Sequence, residues 1–310
     1  MLVWCMFAVC GLLQLPLLLD LLTQVFGASR FVHTAASKLL IALLAGCGGL
    51  SLWLYVTVFL PRWQAGTEST LAPLSVLVGW LWTGAAFHLI TAIRTSPGCG
   101  NTSATATSNA QPAASSRGCK KCERPKLPFA HHCSVCGCCI DMMDHHCPFL
   151  NNCAGRSNFV SFLFFLGFSV AGAAMSSYLS LPAFLNCTIT STHPVAQSLA
   201  AALRYDILGV MIPTAAAAEY CQTLEDTALT FVATFLGLLC AALLLGVHIL
   251  MLWLDVTTLD CLRILGAHGS SLLLHPWLSC AAMRADLAAV PRMDKWRQVW
   301  AAHRCSKMWL

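Results

Sequence analysis

Cys119-Lys-Lys-Cys122-Glu-Arg-Pro-Lys-Leu-Pro-Phe-Ala-His131-His132-Cys133-Ser-Val-Cys136-Gly-Cys138-Cys139-Ile-Asp-Met-Met-Asp144-His145-His146-Cys147-Pro-Phe-Leu-Asn-Asn-Cys153 sits between long apolar segments. Cys119-x2-Cys122 and Cys133-x2-Cys136 are knuckle-type pairs, each able to present two sulfurs to one metal and each needing two more ligands. His131, His132, Cys138, Cys139, His145, His146, Cys147 and Cys153 can supply them, and four suffice. No apolar period of 2 or 3.6 runs through the stretch, so it lacks a hydrophobic core of its own and is expected to fold on metal. A spare Cys beside a His and an Asp is also what thiol catalysis requires.

Outward from this stretch the chain is apolar. Hydrophobic residues make up 57% of the 310 and charged ones 10%, against about 25% charged in soluble proteins, which places the chain in a bilayer. Leu39–Leu60, Leu71–Ile93, Phe159–Leu185 and Ala228–Leu254 contain no Lys, Arg, Asp or Glu. Each meets the roughly 20 residues that span a membrane. Met1–Leu19 is a fifth candidate, short, broken by Pro16 and without a basic start. The expected fold is an all-α polytopic membrane protein of four helices, or five if Met1–Leu19 spans, with a zinc-bound cysteine-rich domain between the second and third long spans.

The corresponding organisation is residues 1–38, an apolar segment and loop; 39–94, two spans; 95–118, a Ser/Thr/Ala/Gly-rich flexible linker; 119–158, the cysteine-rich domain; 159–254, two spans around a lumenal loop at 186–227; and 255–310, a tail. Arg117, Lys120, Lys121, Arg124, Lys126 and Arg156 near the cluster, and seven Lys or Arg in the tail from Arg263 to Lys307, predict that both face the cytosol. The loop between the last spans sets Arg204 against Asp206, Glu219, Glu225 and Asp226, as expected of the opposite side. Cysteines in a reducing compartment are expected to be metal ligands or nucleophiles rather than disulfides.

Cys119-x2-Cys122, His132-Cys133-x2-Cys136-x2-Cys139, Asp144-His145-His146-Cys147 and Asn152-Cys153-x-Gly155-x2-Asn158-x3-Phe162 together resemble the DHHC-type protein S-acyltransferase (palmitoyltransferase) family. Thr257-Thr258-Leu259-Asp260 resembles that family's TTxE motif, with Asp for Glu. The resemblance implies two interleaved structural zinc ions, one on Cys119, Cys122, His132 and Cys139, the other on Cys133, Cys136, His146 and Cys153. It further implies Cys147 as nucleophile, His145 as base, Asp144 orienting that base, and Thr258 hydrogen-bonded to Asp144. Palmitoyl-CoA would be the acyl donor. The partners would be the lipid bilayer and membrane-associated substrate proteins with cytosolic cysteines, not nucleic acid, in an endomembrane (ER or Golgi) or the plasma membrane. Phe149 and Phe129 stand where the family commonly has Trp and Arg, and Thr95-Ser96-Pro97-Gly98 lacks the Asp of its DPG motif. Lys120, Lys121, Arg124 and Lys126 are candidates for coenzyme A phosphates or for anionic headgroups.

Three other classes compete. A zinc-binding membrane scaffold that at most autoacylates has no need of a thiol beside a base. A RING-type ubiquitin ligase lacks its final CxxC pair here. A transporter would need more than the intramembrane His88 and His248.

Overall fold

The computed structural model describes residues 30–59, 72–99, 118–126, 129–184, 224–262 and 264. Met1–Leu19, the remainder of the linker beyond Cys99, most of the 186–227 loop and the tail beyond 264 lie outside them. Four helices follow the apolar runs: α1, Arg30–Leu54, continuing as a π-helical turn at Tyr55–Phe59; α2, Ala72–Arg94; α3, Phe159–Phe184; and α4, Leu224–Leu254. Among the described residues three segments are long and apolar enough to cross a membrane, Val76–Arg94, Phe159–Leu181 and Phe231–Leu254. The first helix contributes a shorter apolar stretch, Thr34–Leu43. The described residues thus give three such spans, where the apolar runs predict four or five.

Between α2 and α3 the chain forms three two-stranded antiparallel hairpins: β1 Gly118–Cys119 with β2 Arg124–Pro125, β3 His131–Cys133 with β4 Cys138–Ile140, and β5 His145–Cys147 with β6 Asn152–Ala154. Isolated two-stranded hairpins are marginal in water, and the few buried apolar side chains here, Ile140 and Met143 with the sulfurs of Cys133 and Cys153, make only a small core. The first two hairpins turn alike. Glu123 N donates to Cys119 O at 2.8 Å and Gly137 N to Cys133 O at 2.8 Å, with Glu123 (φ 52°) and Gly137 (φ 72°) in the left-handed region that closes each knuckle.

Contacts divide the chain into two compact units, one of which holds His88–Phe164 and the segment from Leu244 onward. Within that unit two asparagines anchor the hairpins to the end of α2. Asn158, fully buried, donates from Nδ2 to Ala92 O at 3.1 Å, and Asn152 donates to Ile93 O at 3.3 Å and Thr95 O at 3.0 Å. Carbonyls at a helix C-terminus have no partner within the helix, so these side chains satisfy groups that burial would otherwise penalise. Asn158 Oδ1 also accepts from Gly155 N at 2.9 Å, just before α3 begins. A Cβ on Gly155 would stand 2.5 Å from Pro97 O and 2.7 Å from Ile140 Cγ2, so only glycine lets the Pro97 backbone approach β6. The start of the linker is therefore packed down. Asp141 N donates to Gly98 O at 3.4 Å, Cys99 bridges to Ile140, and Cys99 forms a disulfide with Cys138. This pairing departs from the expectation that the cluster's cysteines avoid disulfides. Cys138 alternates with Cys139 along β4, so it turns away from the side that Cys139 shares with His132.

Candidate active site and metal centres

The hairpin registers sort the ligands. His132 pairs with Cys139 across β3 and β4, and Cys119 and Cys122 of the first knuckle complete a group of four. His146 pairs with Cys153 across β5 and β6, and Cys133 and Cys136 of the second knuckle complete another. Each hairpin thus contributes to the site before or after it, which cross-links three units that could not stand alone.

The donor atoms fit tetrahedral zinc. Bond lengths of about 2.3 Å to sulfur and 2.0 Å to nitrogen imply donor separations of about 3.5 Å for S to N and about 3.8 Å for S to S. In the first group Nδ1 of His132 lies 3.6, 3.1 and 4.0 Å from the sulfurs of Cys119, Cys122 and Cys139, and Cys139 lies 3.8 Å from Cys122. In the second, Nδ1 of His146 lies 3.6, 3.5 and 3.5 Å from those of Cys133, Cys136 and Cys153, and Cys136 lies 3.5 Å from Cys153. Three thiols and one imidazole in each group are a ligand set suited to structural zinc.

Strand alternation separates metal from chemistry. His146 points to the second metal group, so its neighbours His145 and Cys147 point together to the opposite face of β5. There His145 Nδ1 donates to Asp144 Oδ2 at 2.9 Å. A carboxylate only accepts, so Nδ1 carries the proton and Nε2 keeps its lone pair, the arrangement a general base requires. The buried Cys147 shares this face of β5 and acts on the His145 ring. Burial, the largest influence, pushes the His145 pKa down. The hydrogen bonds and charges of Asp144 and Cys147 together outweigh it and raise the value to about 10. The surroundings therefore stabilise the imidazolium, the form His145 reaches once it has taken a proton from the thiol.

Asp144 is 1% exposed, and a buried carboxylate is costly unless it is well hydrogen-bonded. Thr258 supplies two donors, Oγ1 to Oδ2 and the backbone N to Oδ1 at 3.3 Å. The chain past α4 is shaped to deliver them. Asp255 (φ 56°) ends α4, with Val256 N donating to Met251 O at 3.0 Å and Asp255 N to Leu252 O at 3.2 Å, the double bond pattern of a left-handed helix stop. Thr257 and Asp260 then form a reciprocal capping box. Asp260 Oδ2 accepts from Thr257 N at 3.1 Å and Oγ1 at 2.7 Å, and Asp260 N donates to Thr257 Oγ1 at 3.1 Å. Asp260, one methylene shorter than the Glu of the related motif, performs this cap in full.

All eleven catalytic and metal residues expected from the sequence, with Thr258, are thus placed in three groups: two ligand sets, and Asp144, His145, Cys147 and Thr258 together. The sequence does not connect His248 of α4 to this site, yet it lies against Asp144 and His145. An ionisable side chain inside an apolar span was itself the signal. Lys120, Lys121, Lys126 and His131 line a cavity of about 460 Å³, while Arg124 is not among its lining residues.

Residues 113–263 match the family model described as DHHC palmitoyltransferase. A "Probable protein S-acyltransferase 13" of Arabidopsis thaliana is 48% identical over 69 residues, 22% of this chain and 23% of the relative. A "Palmitoyltransferase ZDHHC15" of Xenopus laevis is 52% identical over 54 residues, 17% and 16% of the two chains. A "Palmitoyltransferase pfa3" of Emericella nidulans is 57% identical over 51 residues, 16% and 10%. The chain thus contains a segment similar to the DHHC palmitoyltransferase domain. Its matches span under a quarter of the length of these curated relatives.

Proposed function

We propose that the protein is a protein-cysteine S-acyltransferase that moves a palmitoyl chain from acyl-CoA, through a thioester on Cys147, to cysteine thiols of substrate proteins at the membrane surface. The observation that carries this reading is the unligated Cys147 beside His145, itself oriented by a buried Asp144. In the first half-reaction His145 Nε2 takes the Cys147 proton and the thiolate attacks the acyl-CoA carbonyl carbon. The bond from that carbon to the coenzyme A sulfur breaks, and the departing thiolate takes the proton back from His145. In the second half-reaction His145 takes the proton of a substrate thiol, that sulfur attacks the acyl-Cys147 carbonyl, and the Cys147 thiolate leaves and is reprotonated. Asp144 stabilises the imidazolium that forms in each half without itself changing protonation.

The two ligand sets are assigned to Cys119, Cys122, His132 and Cys139 and to Cys133, Cys136, His146 and Cys153, where bound zinc would brace the hairpins and take no part in acyl transfer. The basic cavity of Lys120, Lys121, Lys126 and His131 suits the phosphates of coenzyme A. A palmitoyl chain would cost about 0.8 kcal/mol per CH₂ to leave in water, which favours a reacting site fused to membrane helices. Purified protein mixed with palmitoyl-CoA should gain one palmitoyl mass, removable by hydroxylamine, and should pass it to a peptide thiol. A protein that never gains that mass would refute the reading, and one that gains it without passing it on would be the autoacylating scaffold.

The cluster and the tail are proposed to face the cytosol, from the Lys and Arg flanking them and because acyl-CoA and reduced thiols are found there. Four spans place both on one side, and a fifth at Met1–Leu19 would move only the N-terminus. Protease added to sealed cytosol-side-out vesicles should cut epitopes inserted at residue 108 and after residue 310 and spare one at 193. Protection of the first would invert the arrangement.

A further inference from the structure

His248 lies on α4 within the apolar segment Phe231–Leu254, and its side chain is 8% exposed. Its Nδ1 stands 2.8 Å from Leu244 O, and since a carbonyl only accepts, Nδ1 carries a proton and Nε2 is the nitrogen turned the other way. Nε2 lies 3.8 Å from Asp144 Oδ2, the oxygen that also binds His145 and Thr258. The ring also contacts the base. Its centroid is 5.5 Å from that of His145, and Phe162 stands edge-on to both, 5.1 Å from His248 and 5.6 Å from His145. Phe159 closes the remaining side at 6.2 Å. All these residues belong to the same compact unit.

Polar side chains inside a membrane span are costly and point to a functional partner. Here the partner is a buried carboxylate that the reaction needs in one orientation. We infer that His248 is a positioning residue for the Asp144–His145 pair: with Nδ1–H given to Leu244 O, its ring acts as an imidazolium whose Nε2–H is turned toward Asp144 Oδ2, and with Phe162 it confines the His145 imidazole. The separation is longer than a hydrogen bond, as catalytic contacts commonly are before substrate binds. This inference deepens the acyltransferase reading and rests on it for the turnover readout only.

Two variants separate nitrogen from shape. His248→Phe keeps the ring and removes both nitrogens, whereas His248→Gln places an amide near the position of Nε2. Two rates would be measured on purified protein containing its zinc: palmitoyl-CoA loading, and alkylation of Cys147 by iodoacetamide, located by mass spectrometry. His248→Phe should lower kcat for loading by about tenfold or more, a share of the 10²–10⁴ supplied by a general base, with KM for palmitoyl-CoA within about twofold. It should slow Cys147 alkylation by a similar factor, and His248→Gln should restore most of both. Wild-type rates in His248→Phe would overturn the inference, as would equal losses in Phe and Gln or loss of zinc from both, because each assigns His248 to packing alone. If the wild-type protein never loads palmitate, yet alkylation follows this order, the positioning role stands and the acyltransferase reading falls.

Discussion

Cys147→Ser should remove all hydroxylamine-sensitive acylation while leaving the fold and the metal content intact. The expectation follows from the position of the side chain. Cys147 is buried at 5% exposure, belongs to neither ligand set and shares a face of β5 with His145. Sulfur for oxygen is a small change in volume, so packing is disturbed little. The chemistry changes greatly, because a thiol is a few per cent thiolate near pH 7 and strongly nucleophilic, whereas a hydroxyl is not ionised. Peptide palmitoylation should fall to the uncatalysed rate, and intact mass should show no adduct. A thioester adduct on the variant together with continued transfer would place the acyl carrier on another cysteine, of which Cys261, just past α4 and outside any disulfide, is the nearest in sequence to the Thr258 contact. An adduct resistant to hydroxylamine would be an oxyester on the introduced serine and would still locate the nucleophile at this position.

Most of the site could be read from the sequence because its information is local. Ligand spacing such as Cys133-x2-Cys136 fixes a knuckle, and four apolar runs fix four helices. The motif positions Asn152, Gly155 and Asn158 carry a physical meaning that spacing alone does not express. Two of them hold the carbonyls at the end of α2, and the third admits the Pro97 backbone. What stayed hidden depends on contacts distant in sequence. Asp144 and Thr258 are 114 residues apart, and only the family resemblance joined them. Nothing in the sequence joined His248 to Asp144, since an isolated imidazole in an apolar helix announces a function without naming its partner. The Cys99–Cys138 bond was hidden for a different reason. Compartment argues against disulfides, and a cysteine two positions after Cys136 reads as a spare ligand until strand alternation turns it away. Asp260 shows the opposite case, a departure from the related motif that the capping geometry absorbs without loss.

His145 and His146 are neighbours whose replacement by alanine should have opposite outcomes, and this tests the division of β5 into a metal face and a reacting face. His146 Nδ1 stands 3.5–3.6 Å from three sulfurs. Its removal leaves three thiols around one metal, and structural zinc sites contribute folding free energy on the order of 10 kcal/mol. His146→Ala, like Cys133→Ala, should therefore bind fewer than two zinc ions per chain, become protease-sensitive between residues 118 and 158, and lose activity as a consequence of unfolding. His145→Ala should keep two zinc ions and the wild-type protease pattern while loading palmitate about 10²–10⁴-fold more slowly, the usual loss for a general base. Elemental analysis against protein concentration, limited proteolysis and loading rate measured on the three preparations decide the matter. Full zinc in His146→Ala or Cys133→Ala would break the interleaved ligand assignment. Zinc loss in His145→Ala would mean that both histidines serve the metal, and the proton of Cys147 would then need another acceptor.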